Sequence, residues 1–166
     1  VEILPNSFLR NAVIEDGVVI DSSKIVESKV GANATVGPMS HLRNHTEIAA
    51  NCRIGNFVEF KNSYFGEGSK CAHLTYIGDS DFGKKINVGC GVVTVNNDGK
   101  NKYRTTVKDG AFIGSNCNLI APVTIGENVL LAAGSTITDS VEDGDMGIAR
   151  MRQSIKKGFG TAYKNK

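Results

Sequence analysis

The sequence predicts an all-β solenoid, a parallel β-helix built of hexapeptide repeats. Three observations carry that prediction. Between Val107 and Thr138 an aliphatic residue returns at every sixth position: Val107, Ile113, Leu119, Ile125, Leu131 and Ile137. Most fifth positions of the same run are small or β-branched, and glycine, asparagine and aspartate punctuate the spaces between. A 3.6-residue period would scatter six-spaced aliphatics around a cylinder, and simple alternation would not single out every third inward position. A short strand, a turn and another short strand meets the pattern. Three hexads close a triangular coil of about 18 residues, and stacked coils line the first-position aliphatics into ladders inside a prism.

The period extends back through most of the chain. Hexads open at Ile14, Ile20 and Val26, then at Val30, Val36, Leu42, Ile48, Ile54 and Phe60; one residue is lost, and the register resumes at Phe65, Cys71, Ile77, Phe82 and Val88. Between the hexads of Val88 and Val107 thirteen residues are surplus, within TVNNDGKNKYRTT, where Asn97-Asp98-Gly99 is a strong turn signal. A loop over 94–106, thrown out from one edge, is therefore expected, and such breaks in a regular solenoid often carry function. The solenoid is expected over 1–149. From Arg150 to Lys166 the hexads are gone and six of the nineteen basic residues stand without an acid, which reads as a basic C-terminal arm.

Composition narrows the function. With 40% hydrophobic residues in 166, the chain has core enough for one domain. Its net charge of +2 hides an asymmetry: without the arm's six cations the body holds 13 basic against 17 acidic residues, or −4. Nucleic acid, which needs a broad basic footprint, is a poor partner for such a body, whereas a local basic arm suits a phosphorylated small molecule. No apolar stretch is long enough to span a bilayer and no signal peptide opens the chain, so the expectation is a cytoplasmic protein without a membrane partner. Cys52, Cys71, Cys90 and Cys117 show neither CxxC pairing nor zinc-site histidines, and are read as reduced thiols with no metal. A first residue of Val1 rather than Met suggests a fragment.

The repeat also places side chains. Arg43 and Lys61 are second positions one full coil apart, so they stack on adjacent coils about 4.8 Å from each other. Glycine is usual at that position. Two stacked cations repel, and a bound dianion such as phosphate would resolve the repulsion. Third positions on one face are Asn56, His73, Cys90, Ser115 and Ala133. From His73 to Ala133 is three coil steps, roughly 14–15 Å, a groove long enough for a pantetheine arm and floored by small residues. His73, in AHLTYIGD, supplies a base with a pKa near neutrality, and Glu59, one coil earlier, is placed to polarise it. His41 and His45 are read as surface residues, and the three histidines do not share the column that a zinc-dependent hydratase would need.

The segments HLRN (41–44), GNFVEFKNS (55–63), AHLTYIGDS (72–80), INVGCGVVTVNNDGKNK (86–102), FIGSN (112–116), LIAPVTIG (119–126) and LAAGSTIT (131–138) resemble a known family through nearly the whole chain and in order. It is the acetyltransferase domain of the bacterial bifunctional glucosamine-1-phosphate acetyltransferases / N-acetylglucosamine-1-phosphate uridyltransferases. The resemblance implies a left-handed parallel β-helix with one extruded loop and a C-terminal basic arm. It implies acetyl-CoA as co-substrate, glucosamine 1-phosphate as acceptor, a homotrimer with pockets between subunits, and a nucleotidyltransferase domain N-terminal to this chain. Residue by residue, it implies that His73 is the general base, that Asn96 orients the substrate, and that Arg43, Lys61, Tyr76, Asn87 and Lys102 hold the sugar phosphate. Cys90, Asn96, Asn97, Ser115, Ala133 and Arg150 would bind acetyl-CoA. Two positions depart from the family: Asn97 stands where it usually has tyrosine, and Cys90 where alanine is common. Two other readings compete, namely a hexapeptide acyltransferase acting on a UDP-sugar or an amino acid, and a non-catalytic trimerising solenoid.

Overall fold

A computed structural model describes residues 1–165; Lys166, counted in the basic arm above, lies outside the described residues. The chain winds as a left-handed parallel β-helix with three faces. On the first face nine strands stack from Glu2–Ile3 to Met146–Gly147. The second face runs from Phe8–Arg10 to Thr136–Ile137, and the third carries seven strands from Val13–Ile14 to Val123–Ile125. In two coils the strand does not stop at the corner. Arg53–Lys61 and Lys70–Gly78, nine residues each, run through the first face, turn at Phe57 and Leu74, and continue in the second.

Sequence dictates this winding directly. The hexad openers Ile48, Ile54, Phe60, Phe65, Cys71 and Ile77, and later Ile113, Leu119 and Ile125, are inaccessible or nearly so and pack into one core. Phe60 meets Phe65 edge-on at 5.1 Å between ring centres, and Phe65 meets Phe82 at 5.7 Å, so aromatic rings fill the core of these coils. Corners need left-handed backbone, which asparagine and glycine adopt at least cost, and Asn33, Asn51, Gly68, Gly110 and Asn128 supply it on one edge. Coil spacing sets the glycines at second positions. A Cβ on Gly126 would lie 2.5 Å from the Asp143 nitrogen.

Three expectations need correction. Ile25, not Val26, is the inward residue that pairs with Leu9 and Leu42, because the turn before it is one residue shorter than the repeat allows. Thr94 is fully buried within Val93–Val95, a hexad whose opener is polar and so escaped the aliphatic pattern. That recovered hexad shrinks the loop. The coil step from Asn87 to Phe112 exceeds the next, from Phe112 to Leu130, by seven residues, so the surplus is seven rather than thirteen. The chain leaves the coil between 96 and 104, since Val93–Val95 and Thr105–Val107 are strands.

Cys52, Cys71 and Cys117 are buried free thiols, and burial pushes the Cys71 thiol up to about 12. From Ile148 to Asn165 the chain is exposed, and it carries the short helix Phe159–Lys164. Among the described residues no helix is long and apolar enough to cross a membrane.

Candidate active site

Two clusters of the expected site residues form, on two different edges of the prism. The first lies between the second and third faces. Lys61 stands in register between Arg43 and Gly78, the stacking that the repeat required. Neither cation is left bare. Arg43 donates from Nη2 and Nε to Glu59 Oε1 at 3.1 and 3.3 Å, and Lys61 Nζ lies 3.1 and 3.3 Å from the two oxygens of Asp79. The repulsion expected between stacked cations is thus offset within the chain. Burial would lower the Lys61 pKa, but its hydrogen bonds to Asp79 and its neighbours outweigh that and hold it above the ordinary lysine range. For Asp79, burial pushes the carboxyl up, and the bonds from Asn62, Lys61 and Asn96 together hold it below the usual carboxylate range.

A further cation crowds the same place. Lys102 sits against Lys61, whose ammonium holds it below the ordinary lysine range, with Arg43 adding to the effect. Lys61, Asn62, Asp79, Lys102, Arg104 and His45 line a hollow of about 490 Å³. His45, expected as a plain surface residue, is therefore part of its wall. Tyr76 and Asn96 pack behind it against Gly78, where an added Cβ would collide with the Tyr76 hydroxyl and lie 2.7 Å from the Asn96 amide nitrogen. With Asp79 shared between Lys61 and two amides, the hollow holds more positive than negative charge, which suits an anion.

The second cluster follows the edge between the first and second faces. Asn56 pairs in register with His73. The Gly91 amide donates to the carbonyls of His73 at 3.4 Å and Leu74 at 2.9 Å, Asn116 N to that of Cys90 at 2.8 Å, and Gly134 N to that of Ser115 at 2.8 Å. Each coil step therefore sets the column His73, Cys90, Ser115, Ala133, as the repeat required. Arg150 Nη1 donates to the Ala133 carbonyl at 2.5 Å, which fixes the root of the arm at the column's far end. Thr75 Oγ1 donates to the His73 carbonyl at 2.7 Å and steadies the near end. Beside His73 runs a ridge of Met39, Phe57 and Leu74, all more than half exposed and all in left-handed backbone that bulky residues seldom adopt.

Other expected partners stay apart within the chain. Glu59 is in register with Tyr76, not His73, and its Oε1 is taken by Arg43. The polarising contact to His73 is not made, because the corner at Phe57 puts Glu59 on the second face. Asn96 joins the cationic cluster through Asp79 Oδ2 at 2.7 Å rather than the His73 column. Asn87 lies on the first face between Lys70 and Phe112, away from Arg43 and Lys61. Asn97 is in the loop, bridged to Lys102, with its Oδ1 accepting from Gly99 N at 2.8 Å. Sequence reasoning missed Asp79 and Asn62. The signal was available: Asp79 follows Lys61 at the same interval that stacked Lys61 on Arg43.

Comparison with known proteins bears on the repeat and the fold. Residues 27–62 and 104–139 match the family described as Bacterial transferase hexapeptide (six repeats). Over these two stretches the chain is similar to the hexapeptide-repeat transferases. Over most of its length, 155 residues are 54% identical to the bifunctional protein GlmU of Exiguobacterium sibiricum, covering 93% of this chain and 34% of that protein. GlmU of Clostridioides difficile is also 54% identical, over 154 residues, with the same shares. The chain thus spans about a third of the length of these relatives. Among solved structures, LpxA, a UDP-N-acetylglucosamine acyltransferase from Bacteroides fragilis, superposes with a TM-score of 0.71 at 19% identity, covering 85% of this chain and 62% of that one. A variant of AntD, an N-acyltransferase from Bacillus cereus solved with dTDP and coenzyme A, gives 0.52 at 15% identity, covering 96% and 88%. At such identities these two likenesses speak for the fold alone.

Proposed function

We propose that the chain transfers the acetyl group of acetyl-CoA to the 2-amino group of glucosamine 1-phosphate, giving N-acetylglucosamine 1-phosphate, a step toward UDP-N-acetylglucosamine. The observation that carries the proposal is the pairing of a cation-rich hollow with a separate small-residue column running from His73 to Arg150. The hollow suits the sugar phosphate: Arg43, Lys61 and Lys102 face the phosphate, with Tyr76 and Asn96 beside it. Acetyl-CoA lies along Cys90, Ser115 and Ala133, with Arg150 toward its phosphates. Identity above half with GlmU proteins over most of the chain supports the same substrates.

His73 takes a proton from the acceptor ammonium, and the free amine attacks the thioester carbonyl. A donor near Ser115 stabilises the oxyanion, and the C–S bond breaks to release CoA. No acyl-enzyme is needed. The two clusters lie on different edges of one prism. Between His73 and Gly78, the register partner of Lys61, runs roughly 16 Å of strand with a corner at Leu74. A hexose phosphate is too short for that path, so the pocket is completed between copies, with His73 of one copy meeting the cations of another in a homotrimer. The exposed ridge of Met39, Phe57 and Leu74 supplies apolar surface for that packing.

Thiol release from acetyl-CoA with glucosamine 1-phosphate tests the reading. The wild type should release CoA, and His73→Ala should lose about a thousandfold or more. Release with UDP-sugars but not with glucosamine 1-phosphate would replace the acceptor, and no release with any amine from a folded trimer would favour the non-catalytic solenoid.

A further inference from the structure

We propose that the buried carboxylate of Asp79 is a positioning residue, which aims Lys61 and Asn96 at the acceptor's phosphate and ties both ends of the extruded loop to the coil. The inference rests on the function proposed above, and it concerns a residue to which the preceding sections give no part in the reaction.

Asp79 gathers groups from three places in the chain. Its oxygens accept from Lys61 Nζ at 3.1 and 3.3 Å, from Asn62 Nδ2 at 2.8 Å and from Asn96 Nδ2 at 2.7 Å. Its backbone N–H donates to Lys61 O at 2.9 Å, and its carbonyl accepts from Thr105 N at 3.2 Å. Asn96 is where the chain leaves the coil and Thr105 is where it returns. One residue therefore holds the entry and exit of the loop together with the ammonium beneath it.

Burial makes the arrangement rigid. The side chains of Lys61 and Asp79 are only 11% and 7% exposed. A lysine so enclosed has one favourable direction for its N–H bonds, and the carboxylate selects it. The corner itself does not need the charge. Asn44 and Asn62 turn the same edge in the two preceding coils, with φ of 53° and 47° against 48° at Asp79. Asparagine meets the backbone demand there, so the acid at 79 answers to Lys61 and Asn96 rather than to the turn. Lys61, with one face on Asp79, keeps its remaining N–H bonds for the hollow, where Lys102 brings a second cation.

A purely structural staple would weaken both substrates alike, and that separates the two cases. Around Lys61 the titratable or charged groups are Asp79, Tyr76, Lys102 and Arg43 with its partner Glu59; His45 and Arg104 stand at the rim of the hollow. In Asp79→Asn the amide accepts one bond, but Lys61 loses its counter-charge and one amide N–H faces that of Asn62 or Asn96. Kinetics of the full chain should show KM for glucosamine 1-phosphate raised about tenfold or more, KM for acetyl-CoA within about twofold, and the alkaline limb of kcat/KM moved to lower pH. Asn62→Gly, which keeps a left-handed corner while removing one bond to Asp79, should shift the same KM in the same direction by less. On a Lys61→Gln background Asp79→Asn should add less than about twofold. Equal losses on both substrates, an unmoved alkaline limb, or full additivity with Lys61→Gln would overturn the inference. If Asp79→Asn does not fold, Asn62→Gly decides by the same KM comparison. If the wild type acetylates no glucosamine 1-phosphate, the function above fails first. Carbon-13 lysine NMR then reads Asp79 directly: a lowered Lys61 titration midpoint in Asp79→Asn sustains the positioning, and an unchanged midpoint ends it.

Discussion

The coils after the loop and the coils just before it obey the same rule with different strictness. From Phe112 to Leu130, from Asn118 to Thr136 and from Thr106 to Thr124 each coil step is three full hexads, and the inward ladder is aliphatic throughout. Before the loop the steps from Arg53 to Lys70 and from Lys70 to Asn87 each fall one residue short of that, strands run unbroken round a corner, and a lysine and an aspartate are enclosed against the coil. The regular half is what hydrophobic periodicity alone produces. The irregular half spends that regularity on polar groups whose direction matters, and it is there that Lys61, Tyr76, His73 and the root of the loop lie. The proposed acceptor side thus lies where the repeat is irregular, while the proposed acetyl-CoA column runs on into the regular coils at Ser115 and Ala133.

The largest effect that would sharpen this contrast is a steric one in the regular half. Valine at Gly126 would press its Cβ to 2.5 Å from the Asp143 backbone nitrogen and 2.8 Å from the Glu142 carbonyl carbon, backbone atoms that cannot swing aside. A loss of about 3 kcal/mol or more in denaturant unfolding is expected, with the activity per folded molecule unchanged. A soluble, fully stable Gly126→Val protein would show that the coil spacing is softer than described.

Deleting the loop should do the reverse. Removal of residues 96–102 restores the full three-hexad step between Val93 and Asn118 and takes away Asn96 and Lys102. Long loops add little closure cost, so the thermal midpoint should move by a few degrees at most. Acetyl transfer should fall about a hundredfold or more. Retained activity would remove the loop from the site.

How far the sequence made both halves legible follows from the same difference. Ile113, Leu119, Ile125 and Leu131 announce themselves because apolar burial is the only demand on them. So did the column from His73 to Ala133, since stacking is a matter of counting. Thr94 did not, because a hydroxyl can sit inside if it is bonded: its Oγ1 accepts from Gly78 N at 2.8 Å. Glu59 was assigned to His73 by coil number alone, and the corner at Phe57, which no period reveals, turned it toward Arg43. Asp79 sits at a corner, where an aspartate is ordinary in any turn, so only its bonds to Lys61, Asn62 and Asn96 set it apart.

Acid should expose that carboxylate. The Asp79 pKa is lower folded than in an unfolded chain, where a carboxyl titrates at about 3.9. Its contribution is therefore fully present above that value and is lost as pH falls through the lower, folded pKa. Wild-type stability should exceed that of Asp79→Asn by about 1–3 kcal/mol near neutrality, and the gap should narrow below about pH 4. A gap independent of pH would mean that shape, not charge, is what residue 79 supplies.

The smallest effect belongs to the outer clasp of the loop. Arg104 grips Asp81 with two bonds of 2.9 Å and reaches the Asn62 carbonyl at 3.3 Å. The pair looks stronger than the contacts of Asp79, yet its side chains are 44% and 52% exposed, so water and salt screen it. Arg104→Ala should cost about 0.5 kcal/mol or less, and less again in 0.5 M salt at about a 4 Å screening length. Stability is read by denaturant unfolding at both salt concentrations. If the loss instead reached that of Asp79→Asn and ignored salt, the loop would be held from its exposed rim, and the buried carboxylate would no longer be what separates the working half of the prism from the regular one.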